Sequence, residues 1–267
     1  MTKRAKRSTP SDPLSWLTQG NFLFKGLDPS LVMACLSPEQ VIREKLFSNR
    51  PIYTAFRPGS SLEYLYVVLD GGPVITRSAP LDRVVSLTYP GGCFGMRNLD
   101  IGYGQVCRAF PSLVEAYKTT DVAKIPVQTI QHLLDTSQEV RDRYGLLFEL
   151  REKFQYHLLN CSTYPPQAVA ALLRALIYQE RSLGNQPGSD GTYLFDLPID
   201  IIARASQLNH RTVEQVLKGM GQAKLIKIDK SSDKSSEGGD WVHVIDPEGL
   251  KEVYGSTRDK VSWWPLR

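Results

Sequence analysis

The chain has 267 residues, 42% apolar and 22% charged, with a formal net charge of +4 and a pI near 8.8. This is ordinary globular composition with enough apolar residues for a real core, and its mild positive charge permits a nucleic-acid partner without identifying one. No apolar run reaches the ~18 residues of a membrane span, and the basic start MTKRAKRSTPSDP has no apolar region behind it, so no membrane contact or secretory signal is expected and the expected location is cytoplasmic.

Residues 1–13 carry Lys, Arg and Pro with no apolar stripe and read as a basic flexible tail. A short helix follows the Asp28-Pro29 start signal, with Leu31, Val32, Leu36 and Val41 at roughly helical spacing. From Ile52 to Ile125 short β-rich segments such as YLYVVLDGGPVITRS and RVVSLTYPGG alternate with Gly, Pro and Asp turns, the pattern of a sandwich or barrel. Residues 14–135 are therefore expected to form one β-rich domain. Thr129 to Leu134 reads as helix, and Ser137 to Cys161 as a longer one. In the longer helix Val140, Leu147, Phe154 and Cys161 recur at heptad spacing with Leu150 between them, a stripe that suits either packing on the helix's own domain or, as the favoured reading, a homodimer seam in a dimerisation helix over residues 136–163. Tyr164-Pro165-Pro166 is expected to end that helix.

A second domain is expected over residues 164–267. AVAALLRALIYQE reads as an apolar helix and GNQPGSDG as a loop. LPIDIIARASQLNHRTVEQVLKGMGQAKLIKI reads as two helices joined by a tight turn and running into a strand. The Ser- and Lys-rich KSSDKSSEGGD then separates LIKI from WVHVI, a hairpin with a long tip. Ile202, Leu208, Val213 and Val216 are placed to pack between the two helices, small Ala203 allows close approach, and Asn209 can cap the second helix. His210, Arg211, Thr212, Gln215 and Lys218 face outward, and Lys224, Lys227 and Lys230 lie on the hairpin. That is the layout of a winged helix-turn-helix, whose second helix enters a major groove and whose wing touches the backbone. Asn209, His210, Arg211, Thr212, Gln215 and Lys218 are the candidate DNA contacts. Such domains also serve as contact modules for other regulators.

The order of these parts resembles the cyclic-AMP receptor and FNR family of bacterial regulators. The residues that carry the resemblance are LYVVLDGGPVIT, the GGCFG turn, TTDVAKIP and the bihelical segment. It implies an α+β fold: an N-terminal antiparallel β-roll of jelly-roll type, a long dimerisation helix and a C-terminal winged helix-turn-helix. Two departures are visible in the reader. Gln207 stands where the family has Gly between the helices, and Asn209-His210-Arg211-Thr212-Val213 replaces the family's Ser-Arg-Glu-Thr-Val.

The GGCFG turn, Gly91 to Gly95, is either a structural corner or a place where backbone amides approach an anion. Nucleotide-binding relatives follow the Phe-Gly pair with Glu and later use Arg-Ser or Arg-Thr on the cyclic phosphate. This chain has Met96 and Phe110-Pro111 at those places. Losing charge-assisted bonds of about 1.5–3 kcal/mol each disfavours cyclic AMP. Arg97-Asn98-Leu99-Asp100 is similar to the Arg-x-x-Asp grip on cyclic di-guanylate at the inhibitory site of diguanylate cyclases, although it also suits a local ion pair. Cyclic di-GMP is thus the leading effector candidate, with Arg97, Asp100, Tyr103, Arg108 and the tail residues Arg4 and Arg7 as ligand-binding candidates. An adaptor that contacts another regulator, and a ligand-independent DNA-binding regulator, remain open alternatives.

The four histidines, His132, His157, His210 and His243, fall in separate elements, and no nucleophile-base or paired-carboxylate arrangement stands out, so no enzyme is expected. Cys35, Cys93, Cys107 and Cys161 form no CxxC pair, which argues against a metal site or bound cofactor. Trp263-Trp264 suits either closure of the second core or an anchor for a partner.

Overall fold

The computed structural model describes residues 13–48, 50, 52–53, 63–78, 83–95, 112–160, 164–229, 240–255 and 263–264. The chain divides into two compact units, Met1–Asp82 with Ser86–Glu149, and Arg83–Val85 with Leu150–Arg267.

The first unit contains α1 (Pro13–Gly20), α2 (Pro29–Cys35), eight strands, one of them only from Ser86 onward, α3 (Val127–Thr136) and the first half of α4 (Gln138–Asn160). The strands are β1 (Ile42–Leu46), β2 (Ile52–Tyr53), β3 (Tyr64–Asp70), β4 (Val74–Ser78), β5 (Arg83–Thr88), β6 (Cys93–Phe94), β7 (Ser112–Ala116) and β8 (Thr120–Pro126). They form two sheets of order β1-β8-β3-β6 and β2-β7-β4-β5. The β1–β8, β3–β8, β3–β6, β4–β7 and β2–β7 pairs are antiparallel.

The near-continuous apolar run of β3 reflects burial on both of its faces, since side chains alternate along a strand. Leu65 and Val67, opposite Ile125 and Ala123 of β8, pack with Leu17, Phe24, Val32, Ile130 and Leu134 of the helical layer. Val68, opposite Val122, joins Leu46, Phe94, Val74, Val114 and Ala116 in a second core drawn from both sheets.

Three sequence expectations need correction here. The strands begin at Ile42, not Ile52: β1 is an edge strand whose IREKL sequence is mostly exposed, so it lacks an apolar signature. Helix α1 was not expected, because eight residues beside a basic tail hold too few repeats to show a period; it buries Leu14, Trp16 and Leu17. Val41 lies outside α2, which ends at Cys35 ahead of a single 3-10 turn at Pro38–Gln40. The start signal is as expected: the Asp28 carboxylate accepts from the Ser30 amide at 3.0 Å and from its hydroxyl at 2.6 Å. These bonds hold the Asp28 carboxyl below its ordinary pKa.

The second unit contains α5 (Pro165–Ser182), β9 (Tyr193–Asp196), α6 (Ile199–Ser206), α7 (His210–Gln222), β10 (Ile226–Asp229), β11 (Trp241–Val244) and α8 (Pro247–Gly255). Pro165 and Pro166 begin α5, where the missing amide is harmless, so they open the next helix as well as following the last. The expected hairpin is part of a three-stranded antiparallel sheet, β10-β11-β9. Neither β9 nor α8 was expected; YLFD is too short for its alternation to register. Leu172, Leu176, Ile202, Val213, Val216, Val242, Val244 and Leu250 are buried in this unit. Trp263 and Trp264 are half-buried and meet edge to face, with ring centroids 6.5 Å apart. No helix among the described residues is long and apolar enough to cross a membrane.

The heptad stripe of α4 is covered in large part by this chain itself. Val140 is completely buried in the first unit's own core, and Leu147 packs against that core. Phe154 is 2% exposed and Leu150 5%, both covered by this chain alone, while Cys161 lies outside the described residues. A heptad pattern shows that a face is covered but not whose surface covers it. The outward face of α4 instead presents Asp142, Gly145, Glu149, Glu152 and Tyr156.

Candidate functional site

Helices α6 and α7 form a bihelical unit whose turn sits at Gln207, in the left-handed conformation with φ 56° and ψ 36°. Val213, Val216, Leu217 and Met220 form the buried face of α7, with Ile201 and Ile202 buried on α6. The Asn209 side chain accepts from the Thr212 amide at 2.8 Å and caps α7, as its residue type predicts.

The candidate DNA contacts separate into two groups. Asn209 is engaged as the cap, and His210 places Nε2 3.3 Å from the Asp200 carboxylate, which also faces Arg204 at 3.7 Å. Arg211, Gln215 and Lys218 are exposed on one stripe, spaced four and three residues apart, and their side chains make no hydrogen bond or ion pair among the described residues. Thr212 is half-buried beside them. An exposed polar stripe with a free guanidinium, amide and ammonium suits base edges and phosphates. Asp200 was not anticipated, because its approach to His210 depends on how the two helices cross.

The hairpin treats its lysines unequally. Lys227 lies opposite His243 in the β10–β11 register, and the two converge on Asp229, each 3.0 Å from its carboxylate. The hydrogen bond from Lys227, with the charge of His243, keeps the Asp229 carboxyl ionised to lower pH than usual. Lys224, expected on the hairpin, instead lies in the turn between α7 and β10, exposed with φ 59°, and Lys230 lies outside the described residues.

In the first unit, the GGCFG turn has already engaged its leading amides. Gly91 donates to the Val68 carbonyl at 2.9 Å and Gly92 to that of Tyr89 at 2.9 Å. Those two amides are not available to an anion. The turn instead holds Asn21, a fully buried side chain whose amide donates to the Gly91 carbonyl at 2.8 Å and to Cys93 Sγ at 3.2 Å. Asn21 Oδ1 also accepts from the Leu23 amide at 3.0 Å. Burial pushes the Cys93 thiol up to about 12, so it is not a reactive thiolate. Gly91 has φ +94°, and a Cβ there would stand 2.9 Å from the Gly20 carbonyl, so this close approach needs glycine.

The segment that Asn21 anchors is gripped from the other side by α4. Arg143 donates to the Phe22 carbonyl at 3.2 Å and the Lys25 carbonyl at 2.6 Å, and pairs with Glu139. Asn21 and Arg143 thus tie residues 21–25 to the turn and to α4. Neither was singled out from the sequence, because their partners are backbone carbonyls distant along the chain.

Beyond the turn, Phe94 stacks on Tyr66 with centroids 4.9 Å apart, and Gly95, φ +75°, lies under that ring where a Cβ would meet it at 3.0 Å. On the same sheet Lys124 pairs with Glu44 at 2.9 Å and lies 5.1 Å from the Tyr64 ring centroid. Glu44 is the chief cause that raises the Lys124 pKa, while burial raises that of Tyr66. The interior between the sheets is lined by apolar side chains among the described residues. Arg97, Asp100, Tyr103, Arg108, Arg4, Arg7 and Phe110-Pro111 lie outside the described residues. No group of His, Cys, Asp or Glu among the described residues could hold a metal ion.

No protein-family model and no curated protein matches the sequence. Solved structures do match its fold. FixK2 from Bradyrhizobium japonicum is 14% identical with a TM-score of 0.58, over 81% of this chain and 98% of that one. A CooA mutant from Carboxydothermus hydrogenoformans is 12% identical with a TM-score of 0.55, over 86% and 92%. TTHB099, a transcriptional regulator of the CRP family from Thermus thermophilus, is 17% identical over 80% and 97%, with a TM-score of 0.48. The chain has the fold of the CRP/FNR regulators, a β-roll followed by a helical domain.

Proposed function

We propose that this protein is a dimeric, effector-responsive transcriptional regulator that reads DNA through α6 and α7, and has no catalytic role. The observation that carries this reading is the Arg211, Gln215 and Lys218 stripe: exposed, without a partner among the described residues, and projecting from a helix whose opposite face is packed in a CRP/FNR-type fold. Donors of this kind read base acceptors and grip phosphates, and an arginine pair with guanine discriminates by about 1–3 kcal/mol. Gel shift on duplexes selected from a random library is the test. Arg211→Ala is expected to weaken the selected site tenfold or more and to relax its sequence preference. Unchanged binding and preference would remove α7 from the role of reader.

The effector belongs to the β-roll unit. Cyclic AMP is disfavoured by the residues at its family positions, and the engaged amides of Gly91 and Gly92 leave the turn's leading edge no anion cradle. A larger anion, with cyclic di-GMP the leading candidate, would draw on Arg97, Asp100, Tyr103, Arg108, Arg4 and Arg7. Calorimetry of the full chain with cyclic di-GMP is expected to give saturable heat that Arg97→Ala abolishes. Absence of heat with the wild type would sink that ligand, and saturable cyclic-AMP binding would overturn the pocket argument.

A further inference from the structure

We propose that Gln207 and Lys224 are DNA-backbone contacts placed at the two ends of the reading helix, an inference that rests on the reading of α6 and α7 just given. Among the described residues these are the non-glycine residues with positive φ, 56° and 59°. Both lie beside α7, one just before it and one just after, in a conformation that side chains other than glycine resist. Strained backbone tends to persist where function requires a side chain.

The backbone bonding at each place has no need of that side chain. At the end of α6 the Leu208 amide donates to the Ala203 carbonyl at 3.0 Å. At the end of α7 the Lys224 and Leu225 amides donate to the Gly221 and Met220 carbonyls, each at 3.0 Å. Such closures ordinarily carry glycine. Nor does either side chain serve the fold: both residues are exposed, and neither side chain makes a hydrogen bond or ion pair among the described residues. Nearby cations differ, since Arg204 faces Asp200 and Lys227 is held by Asp229.

Geometry supplies a use. With 13 residues, α7 is about 20 Å long, whereas a major groove is about 12 Å wide, so a helix seated in the groove brings its ends to the phosphate walls. An amide donor at one end and an ammonium at the other suit phosphate oxygens, and these contacts would position the helix without reading sequence.

The test is fluorescence anisotropy of the full chain on a labelled mixed-sequence DNA duplex across a KCl series, with urea unfolding in parallel. Lys224→Gly and Lys224→Asn are each expected to weaken binding severalfold and to reduce the slope of log affinity against log salt by roughly 0.9, one phosphate's worth. Gln207→Gly is expected to weaken binding roughly fivefold with the slope unchanged, as for a neutral hydrogen bond. Both glycine variants should raise the urea midpoint, since glycine relieves the left-handed strain, so lost affinity would not reflect lost folding. Wild-type affinity and slope in both Lys224 variants would overturn the proposal for Lys224, and wild-type affinity in Gln207→Gly that for Gln207. A wild-type chain that binds no duplex at any salt concentration would instead overturn the DNA reading itself.

Discussion

Asn21 shows how much one buried amide does in this fold. Its side chain bonds the Gly91 carbonyl, the Cys93 sulfur and the Leu23 amide while wholly removed from water. A buried donor or acceptor left unsatisfied costs about 1–3 kcal/mol, and Asn21→Ala leaves more than one. We expect that substitution to lower stability by about 2–4 kcal/mol in urea unfolding. A change below about 1 kcal/mol would mean that water replaces the amide. The Cys93 thiol adds a pH test. Its pKa is raised from an ordinary value near 9 to about 12, so the folded state retains a proton that the unfolded chain loses. Stability is therefore untouched below about pH 9 and falls as the pH climbs from there toward about 12. Cys93→Ala should remove that slope, and an unchanged slope would place its origin in other groups.

Helix α4 is the element that both units share, and its N-terminal half is fixed by more than apolar packing. Arg143 bonds the Phe22 and Lys25 carbonyls, and Arg141 bonds the Leu134 carbonyl at 2.7 Å through one nitrogen and 3.1 Å through another. Guanidinium groups suit this work because their planar donors satisfy several carbonyls at once. Replacing Arg143 with Met keeps much of the apolar stem and removes the donors. Hydrogen exchange should then quicken in residues 21–27 and in the first turns of α4, with little change in α5 to α8. Uniformly faster exchange across the chain would mean global destabilisation and no local clamp. In the second unit, Lys153 donates to the Tyr178 hydroxyl at 2.8 Å and lies 5.0 Å from its ring centroid, joining the C-terminal half of α4 to α5.

At the scale of the whole molecule, the proposed dimer has a definite electrostatic character. Val140, Leu150 and Phe154 are buried within one chain and Leu147 is half-buried there, so we expect a second copy pairing along α4 to meet the exposed face that bears Asp142, Glu149 and Glu152. Like charges brought together in parallel repel, and salt screens that repulsion over a Debye length of about 8–10 Å. Sedimentation equilibrium should show the dimer tightening as KCl rises, and Glu149→Gln with Glu152→Gln should tighten it at low salt. A dimer that weakens with salt would place the seam elsewhere.

Local signals in the sequence were enough to determine the β-rich first part, the long α4, the bihelical unit of α6 and α7, and the cap at Asn209. Each rests on spacing within a few residues, turn chemistry or one residue type. Short β9, the polar edge strand β1 and eight-residue α1 were beyond that reach, since their apolar faces hold too few positions to show a period. The tertiary structure alone decided that Val140 and Phe154 are buried by the chain itself, that Asn21 bonds the Gly91 carbonyl of the GGCFG turn, and that His210 faces Asp200. These outcomes depend on which surfaces meet across long stretches of chain, and a periodicity or residue type records the demand for a partner without naming it.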